Sequence, residues 1–294
     1  YNRIIIHHDD TDGYMAAAIT ASAFGGKMHI YPTTYGRPFP FDPSQLTKNH
    51  ELFILDFSYP ATVLEYLNER VKKLVVLDHH EGMRDEIAHL PYVTFNTDFS
   101  GAGLAWHYIV GEEVPFTEAV NLVEADDLWD KNRPGYPWEN VVKYHLGTEE
   151  HRSSLDFWAN AAAQLFVPPE IMDFGTERFN ELREIAKDRQ EASHIEQIQD
   201  LRFALFKAPA KWHSLVHDLV KESAGVDMTV SYAIDIKTKK LVFNVRSNVN
   251  SKITALQLAK SLGGGGHPQA AGFSQPKHVD PLITLTTALK DLQK

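Results

Sequence analysis

The chain has 294 residues, with 29 Lys and Arg against 39 Asp and Glu, a formal net charge of −10. That balance excludes broad electrostatic binding to duplex DNA, where affinity comes from neutralising many phosphates, but it permits a small anion held by a local positive site or by bound metal ions. Hydrophobic residues make up 43% and cysteine is absent, so packed cores are expected while disulfide and thiolate chemistry are removed. No run approaches the roughly 18–20 apolar residues of a membrane span, so no membrane partner is expected. The chain starts at Tyr1 without Met, so a few residues are expected to be missing or processed. It enters an apolar run directly, with no secretory basic region or cleavage site, and the simplest expectation is a cytoplasmic protein.

In chain order, Ile4-Ile5-Ile6 reads as a buried strand ending in the polar cluster His7-His8-Asp9-Asp10-Thr11-Asp12-Gly13. A helix follows from Tyr14 to Phe24, stopped at Gly25-Gly26. Leu52 to Leu55 is a second strand, ending at Asp56; Pro60 then opens a helix with Val63, Leu64, Leu67 and Val71 on one face. Leu74 to Leu77 is a third strand, ending at Asp78-His79-His80. Fully apolar strands separated by helices predict a parallel sheet covered on both faces. Ligands bind at the carboxyl ends of such strands, so the three polar clusters are expected to converge on one cleft. A fourth cluster, Glu124 to Trp129 with Asp126 and Asp127, ends an apolar helical stretch from Ala119 to Val123, where the helix dipole disfavours acidic groups.

From Pro168 to Gln199 the composition is charged, with apolar residues at helical spacing and Gly175 as a weak point, predicting a connecting helix or helix pair. Beyond it, strands are predicted over Leu201–Phe206, Met228–Ile236 and Leu241–Val245. Helices are predicted over Ile253–Leu262, before Gly263-Gly264-Gly265-Gly266-His267, and over Val279–Leu292. The predicted organisation is an α/β domain at 1–167 with a parallel sheet, a helical linker at 168–199, and a smaller α+β domain at 200–294.

His8-x-Asp10-x-Asp12-Gly13 places one imidazole and two carboxylates on alternate residues, which share one side while a strand persists. Such hard donors suit manganese, magnesium or iron better than structural zinc. Asp56 has two oxygens able to bridge two ions, and two ions roughly 3.5–4 Å apart are the usual arrangement for phosphoester cleavage. Alone, each cluster has an ordinary reading: a polar turn capping the next helix, an N-cap or turn aspartate, a surface histidine pair. Their joint occurrence at three successive strand ends favours a metal site.

These clusters, in this order and spacing, resemble the four motifs of the DHH phosphoesterase family. Gly263 to Pro268 with Ala270-Ala271-Gly272 resembles the GGGGH signature of the DHH-associated domain, and the resemblance spans nearly the whole chain. It implies two manganese ions per chain, with magnesium or cobalt as substitutes. His8 and Asp10 would hold the first, Asp12 and His79 the second, with Asp56 bridging both and Asp126 or Asp127 as the last ligand. It implies catalytic roles for His80 near the substrate phosphate, Asp78 in support and His267. Substrate contacts fall to Arg246, Gly264, Gly265, Gly266 and His267, with the substrate clamped between the two domains. Asn244-x-Arg246 departs from the family's usual Ser-x-Arg, and His7 offers a competing register.

Within the family, a pyrophosphatase lacks this glycine-rich second domain, a processive exonuclease adds a nucleic-acid module, and membrane-tethered cyclic-dinucleotide enzymes carry segments not seen here. The expected activity is hydrolysis of short single-stranded RNA or DNA, or dinucleotides, to nucleoside monophosphates, with removal of the 3′ phosphate from pAp in addition. A cyclic-dinucleotide phosphodiesterase, a nucleotide-sensing metal-binding module without turnover, and an oligomerisation scaffold with the 168–199 helix as its interface are the alternatives; a homodimer is compatible with catalysis as well. Trp129, Trp138 and Phe273 are able to stack on bases, but each reads first as core.

Overall fold

The computed structural model describes residues 2–24, 28–209 and 214–294; the predicted helix stop at Gly25-Gly26 lies outside them. The chain divides into two compact units, 1–179 and 180–294.

The first unit runs β1 (Asn2–His8), α1 (Thr11–Ser22), β2 (Met28–Thr33), β3 (His50–Leu55), α2 (Ala61–Arg70), β4 (Lys73–Asp78), α3 (Arg84–Ile87) and β5 (Val93–Phe95), then α4 (Gly101–Ile109), α5 (Glu118–Asp127), α6 (Trp138–Thr148), α7 (Leu155–Ala163) and the start of α8 (Pro169–Glu191). Its five strands are all parallel, in the order β2-β1-β3-β4-β5. The strict two-residue period of the strands divides their side chains between two cores. Ile5, Phe53, Leu55, Val75 and Leu77 face α1, α4, α5 and α7, whereas Ile4, Ile6, Leu52, Ile54, Leu74 and Val76 face Leu64 and Leu67 of α2. Each such fully buried side chain contributes about 1.5–3 kcal/mol. From β1 the chain goes to β2 on one side and on to β3 on the other, so strand order reverses between β1 and β3. A crevice opens at the carboxyl ends of such a pair, and those ends carry His8 and Asp56.

The second unit continues from α8 through β6 (His194–Ile198), β7 (Leu201–Lys207), α9 (Ser214–Ala224), β8 (Met228–Ile234), β9 (Lys240–Ser247), α10 (Ala255–Ser261), β10 (Gly265–Gly266), β11 (Ala270–Pro276) and α11 (Pro281–Leu292). Its six-stranded sheet has the order β10-β11-β9-β8-β7-β6, with β7 and β8 parallel and the other pairs antiparallel. One face packs Phe203, Val230, Phe243 and Phe273 against α10 and α11. On the other, His217 of α9 is buried, its ring nitrogens 3.0 and 2.9 Å from the hydroxyls of Thr229 and Ser231 on β8.

Burial, reinforced by the charges of Arg246 and Lys221, lowers the His217 pKa to about 3. The unfolded chain takes up this proton near pH 6.5 and the folded chain only near 3, so acid favours unfolding over that window. Between pH 6.5 and 5 the second unit is expected to lose up to about 2 kcal/mol. His217→Gln should flatten this dependence in denaturant titrations; an unchanged slope would show that His217 is not its source.

The three predicted parallel strands and the α+β character of the second unit are present, with additions. The edge strands β2 and β5 escape the sequence pattern because they are half-exposed, short or interrupted by Pro32. The 168–199 stretch is one helix followed by β6, not a helix pair. Gly175 is no weak point within it: a Cβ there would lie 1.8 Å from the Lys143 carbonyl oxygen, and one at Gly147 would lie 2.2 Å from that of Ile171. The two glycines let α6 and α8 touch backbone to backbone. Among the described residues, no helix is long and apolar enough to cross a membrane.

Candidate metal centre

β1 ends at His8, Asp9 is exposed, and Asp10 caps α1 by accepting from the Gly13 N–H at 2.9 Å. The ordinary capping role and the site role thus coexist in one carboxylate, whose other oxygen touches His8 Nδ1. Asp12 reaches the site from the first turn of α1, not by strand alternation. That turn lies so close to β1 that a Cβ at Gly13 would sit 2.1 Å from the His8 carbonyl oxygen. His7 faces the other way. It is fully buried edge-on against Tyr14, its pKa lowered to about 4 by burial, and the register that uses His8 is the one gathered at the site.

Asp56 follows β3 directly, buried, with φ of +55°. That left-handed backbone is uncommon outside glycine, although Asp and Asn adopt it best. The β1–β3 register sets His7 opposite Leu55, which brings His8 beside Asp56, with His8 Nδ1 and Asp56 Oδ2 3.8 Å apart. After β4, the buried Asp78 Oδ1 accepts from the backbone N–H groups of His79 and His80 at 2.8 and 3.1 Å and lies 2.8 Å from His80 Nδ1. It fixes the turn and the His80 ring together. His79 Nε2 lies 3.0 Å from Asp56 Oδ1 and 3.4 Å from Asp127 Oδ2.

At the end of α5 the two neighbouring aspartates separate. Asp127 joins His79 and Asp12, while Asp126 lies 2.7 Å from His145 Nδ1 on α6. Three overlapping groups, His8-Asp10-Asp56, Asp12-His79-Asp127 and Asp56-His79-His80, each bring their ligand atoms within 4.8 Å. From the three strand-end clusters, His8, Asp10, Asp12, Asp56, His79 and His80 fall in these groups, with Asp78 behind His80, whereas His7 and Asp9 do not.

The electrostatics fit divalent cations. Burial first, then the charges of Asp12, Asp10 and Asp127, pushes Asp56 well above the usual carboxylate range. Burial and the neighbouring Asp12 and Asp10 do the same to Asp127, and burial raises Asp12. For Asp10 the burial penalty is outweighed by His8, and its pKa falls to about 2. Such a crowd of buried acids is stable in ionised form only with compensating positive charge. Asp56 Oδ2, buried and without a hydrogen-bond partner, fits a metal-ligand oxygen.

Several residues here were absent from the sequence-based expectation. Asp12 accepts from the Ser100 hydroxyl at 2.6 Å and from the N–H groups of Gly101 and Ala102 at 2.5 and 2.9 Å, so the amino end of α4 orients a carboxylate of the candidate site. A Cβ on Gly101 would lie 2.2 Å from Asp56 Cβ. In the sequence, Ser-Gly-Ala-Gly before an apolar run marks only a capped helix start, which carries no sign of chemistry. Buried Glu124, its pKa raised by burial to about 7 despite Arg133, backs Ser100. A cavity of about 210 Å³ opens beside the centre, lined by Asp10, Asp12, Asp126, Asp127, His145 and Arg152 among others.

In the second unit, the N–H groups of Gly263 and Gly264 donate to the carbonyls of Lys260 and Ala259 in α10, at 3.2 and 2.7 Å. Gly264 therefore closes a helix end and offers no free N–H. Gly265, Gly266 and His267 lie exposed on the hairpin into β11, whose register sets Arg246 of β9 opposite Ala270.

No family model matches the chain. A curated relative, uncharacterized protein R106 of Acanthamoeba polyphaga mimivirus, is 21% identical over 234 residues, covering 77% of this chain and 53% of the relative. The chain thus spans about half the length of that relative. Among solved structures, the pGpG-specific phosphodiesterase PggH of Vibrio cholerae is similar with a TM-score of 0.59 at 13% identity, over 100% of this chain and 99% of that one. RecJ of Thermus thermophilus in complex with Mn2+ gives 0.52 at 15% identity, over 100% and 52%. An exonuclease RecJ bound to manganese gives 0.51 at 16%, over 99% and 89%. The chain has the fold of these PggH and RecJ structures.

Proposed function

We propose that this chain is a cytoplasmic two-metal phosphoesterase that hydrolyses short single-stranded oligonucleotides or dinucleotides to nucleoside monophosphates and also acts on pAp. The observation that carries this reading is the meeting of His8, Asp10, Asp12, Asp56, His79 and Asp127 in overlapping ligand groups around the buried Asp56. His8, Asp10 and Asp56 would hold one ion, and Asp12, Asp56, His79 and Asp127 the other. When bound there, manganese, or magnesium or cobalt in its place, would supply Lewis-acid neutralisation of phosphoryl charge. The oxygen-rich ligand set is the kind that selects such ions.

The protein's own groups bind and orient. Ser100 and the amino end of α4 fix Asp12. Asp78 accepts from His80 Nδ1; the doubly protonated ring would then donate from Nε2 to a phosphate oxygen. His267, Arg246, Gly265 and Gly266 are the proposed phosphate contacts of the second unit, where a guanidinium suits bidentate binding. A sensor without turnover is disfavoured by a complete ligand set.

Incubation with pAp, pGpG, longer RNA and cyclic dinucleotides, followed by product analysis, tests the reading. Activity should vanish in EDTA and return with manganese, with monophosphates as products. Turnover indifferent to chelation would end the metal mechanism, and a preference for cyclic dinucleotides would replace the substrate.

A further inference from the structure

Trp129 is not the core residue that the sequence suggests. It lies two residues after Asp127, so its Cα is within about 7 Å of that ligand's Cα, and it is 53% exposed. Its φ is +55°, a genuine outlier for a bulky aromatic. The surrounding hydrogen bonds explain where the strain arises. Trp129 N–H donates to Asp126 O at 3.2 Å and Asp130 N–H to Ala125 O at 2.9 Å, the paired bonds of a Schellman helix end, with Trp129 in the position that glycine normally takes. A strained aromatic is thus kept where glycine would fit without strain, and burial does not compensate it. Strain of this kind concentrates at ligand-binding positions.

The ring is also prepared for a flat partner. Trp138 meets it edge-on, centroids 5.0 Å apart at 64°, and fixes its orientation. Lys131 Nζ lies 5.2 Å from the Trp129 ring and 5.4 Å from that of Trp138, which adds positive charge beside the aromatic surface. By contrast Phe273 is buried, stacked on Phe243, and has only a packing role.

We propose that Trp129, braced by Trp138 and flanked by Lys131, is the platform on which a nucleobase of the substrate stacks beside the metal centre. The proposal rests on the reading that the substrate is a short oligonucleotide. An exposed aromatic near a phosphodiester-cleaving centre binds bases without strong sequence preference, because every base offers a π-face.

The test compares wild type, Trp129→Gly and Trp129→Phe on a dinucleotide and on its two analogues in which one nucleoside is abasic. Glycine is at ease at this backbone angle, so Trp129→Gly should melt no lower than a few degrees below wild type. Its KM for the dinucleotide should rise about 5- to 150-fold, the range for loss of one stacked base, with kcat changed by less than about threefold. Trp129→Phe should keep most of the affinity. For the analogue lacking the stacked base, wild type and Trp129→Gly should have the same KM. An unchanged KM in Trp129→Gly, or an equal rise on both abasic analogues, overturns the platform while leaving the phosphoesterase intact. If no dinucleotide is turned over at all, the functional reading fails separately. Quenching of tryptophan fluorescence by GMP then decides the platform: quenching lost in Trp129→Gly supports it, and identical quenching in both proteins refutes it.

Discussion

Asp56→Asn is expected to lower kcat/KM by about 10³-fold or more, since it removes the carboxylate that stands in two of the three candidate ligand groups. The same substitution has the opposite sign on the metal-free protein. Asp56 is buried against Asp12, Asp10 and Asp127, which raise its pKa after burial itself. A neutral amide at the same left-handed backbone removes that repulsion. In EDTA, Asp56→Asn is therefore expected to be more stable than wild type by about 1–3 kcal/mol. Manganese should reverse the ranking, since ligand at 100 times its Kd stabilises wild type by about 2.7 kcal/mol and the variant far less. His267→Ala, in the other unit, should lose much less activity. Melting curves with and without manganese, alongside rates, check this. Comparable mild rate losses for Asp56→Asn and His267→Ala, or an Asp56→Asn protein less stable than wild type in EDTA, would contradict the assigned roles.

Gly101→Ala is expected to cost about 10²-fold in kcat although residue 101 has no chemistry of its own. The added methyl would lie 2.2 Å from Asp56 Cβ, 2.6 Å from its Cγ and 2.8 Å from Asp12 Oδ2. Neither neighbour has room to give: Asp12 is pinned by three donors and Asp56 by its buried strand end. A displacement of about 1 Å at reacting groups is enough for such a loss, and overpacking adds about 1–3 kcal/mol of destabilisation. Gly82→Ala, two residues past His80, meets nothing within 4 Å and serves as the control. Calorimetric titration with manganese should show weakened binding in Gly101→Ala and unchanged binding in Gly82→Ala. Wild-type rate and metal affinity in Gly101→Ala would show that the helix end is able to retreat.

The central strands and the convergence at their ends were legible because Ile4–Ile6, Leu52–Leu55 and Leu74–Leu77 are buried on both faces and so read as unbroken apolar runs. Edge strands such as Met28–Thr33 carry no such run, since one side faces water. His8, Asp10, Asp56 and His79 were legible as polar residues interrupting strand ends. The choice between Asp126 and Asp127 was not, because neighbours on a helix point about 100° apart and only the position of α6, with His145, separates them. Ser100 to Gly103 was missed for a related reason. Those residues act through backbone N–H groups and through the lack of side chains, neither of which marks chemistry in a sequence. Trp129 was misassigned because composition cannot distinguish an aromatic filling a core from one held out on a strained turn.

The contact of α6 with α8 extends the reach of the centre. His145 lies between Lys143 and Gly147, the two points where α6 meets α8 through Gly175 and Ile171. The imidazole that partners Asp126 therefore inherits its height from a helix with no residue in the cavity. A bulkier side chain at position 175 would act as a wedge, tilting one wall of the cleft from a distance.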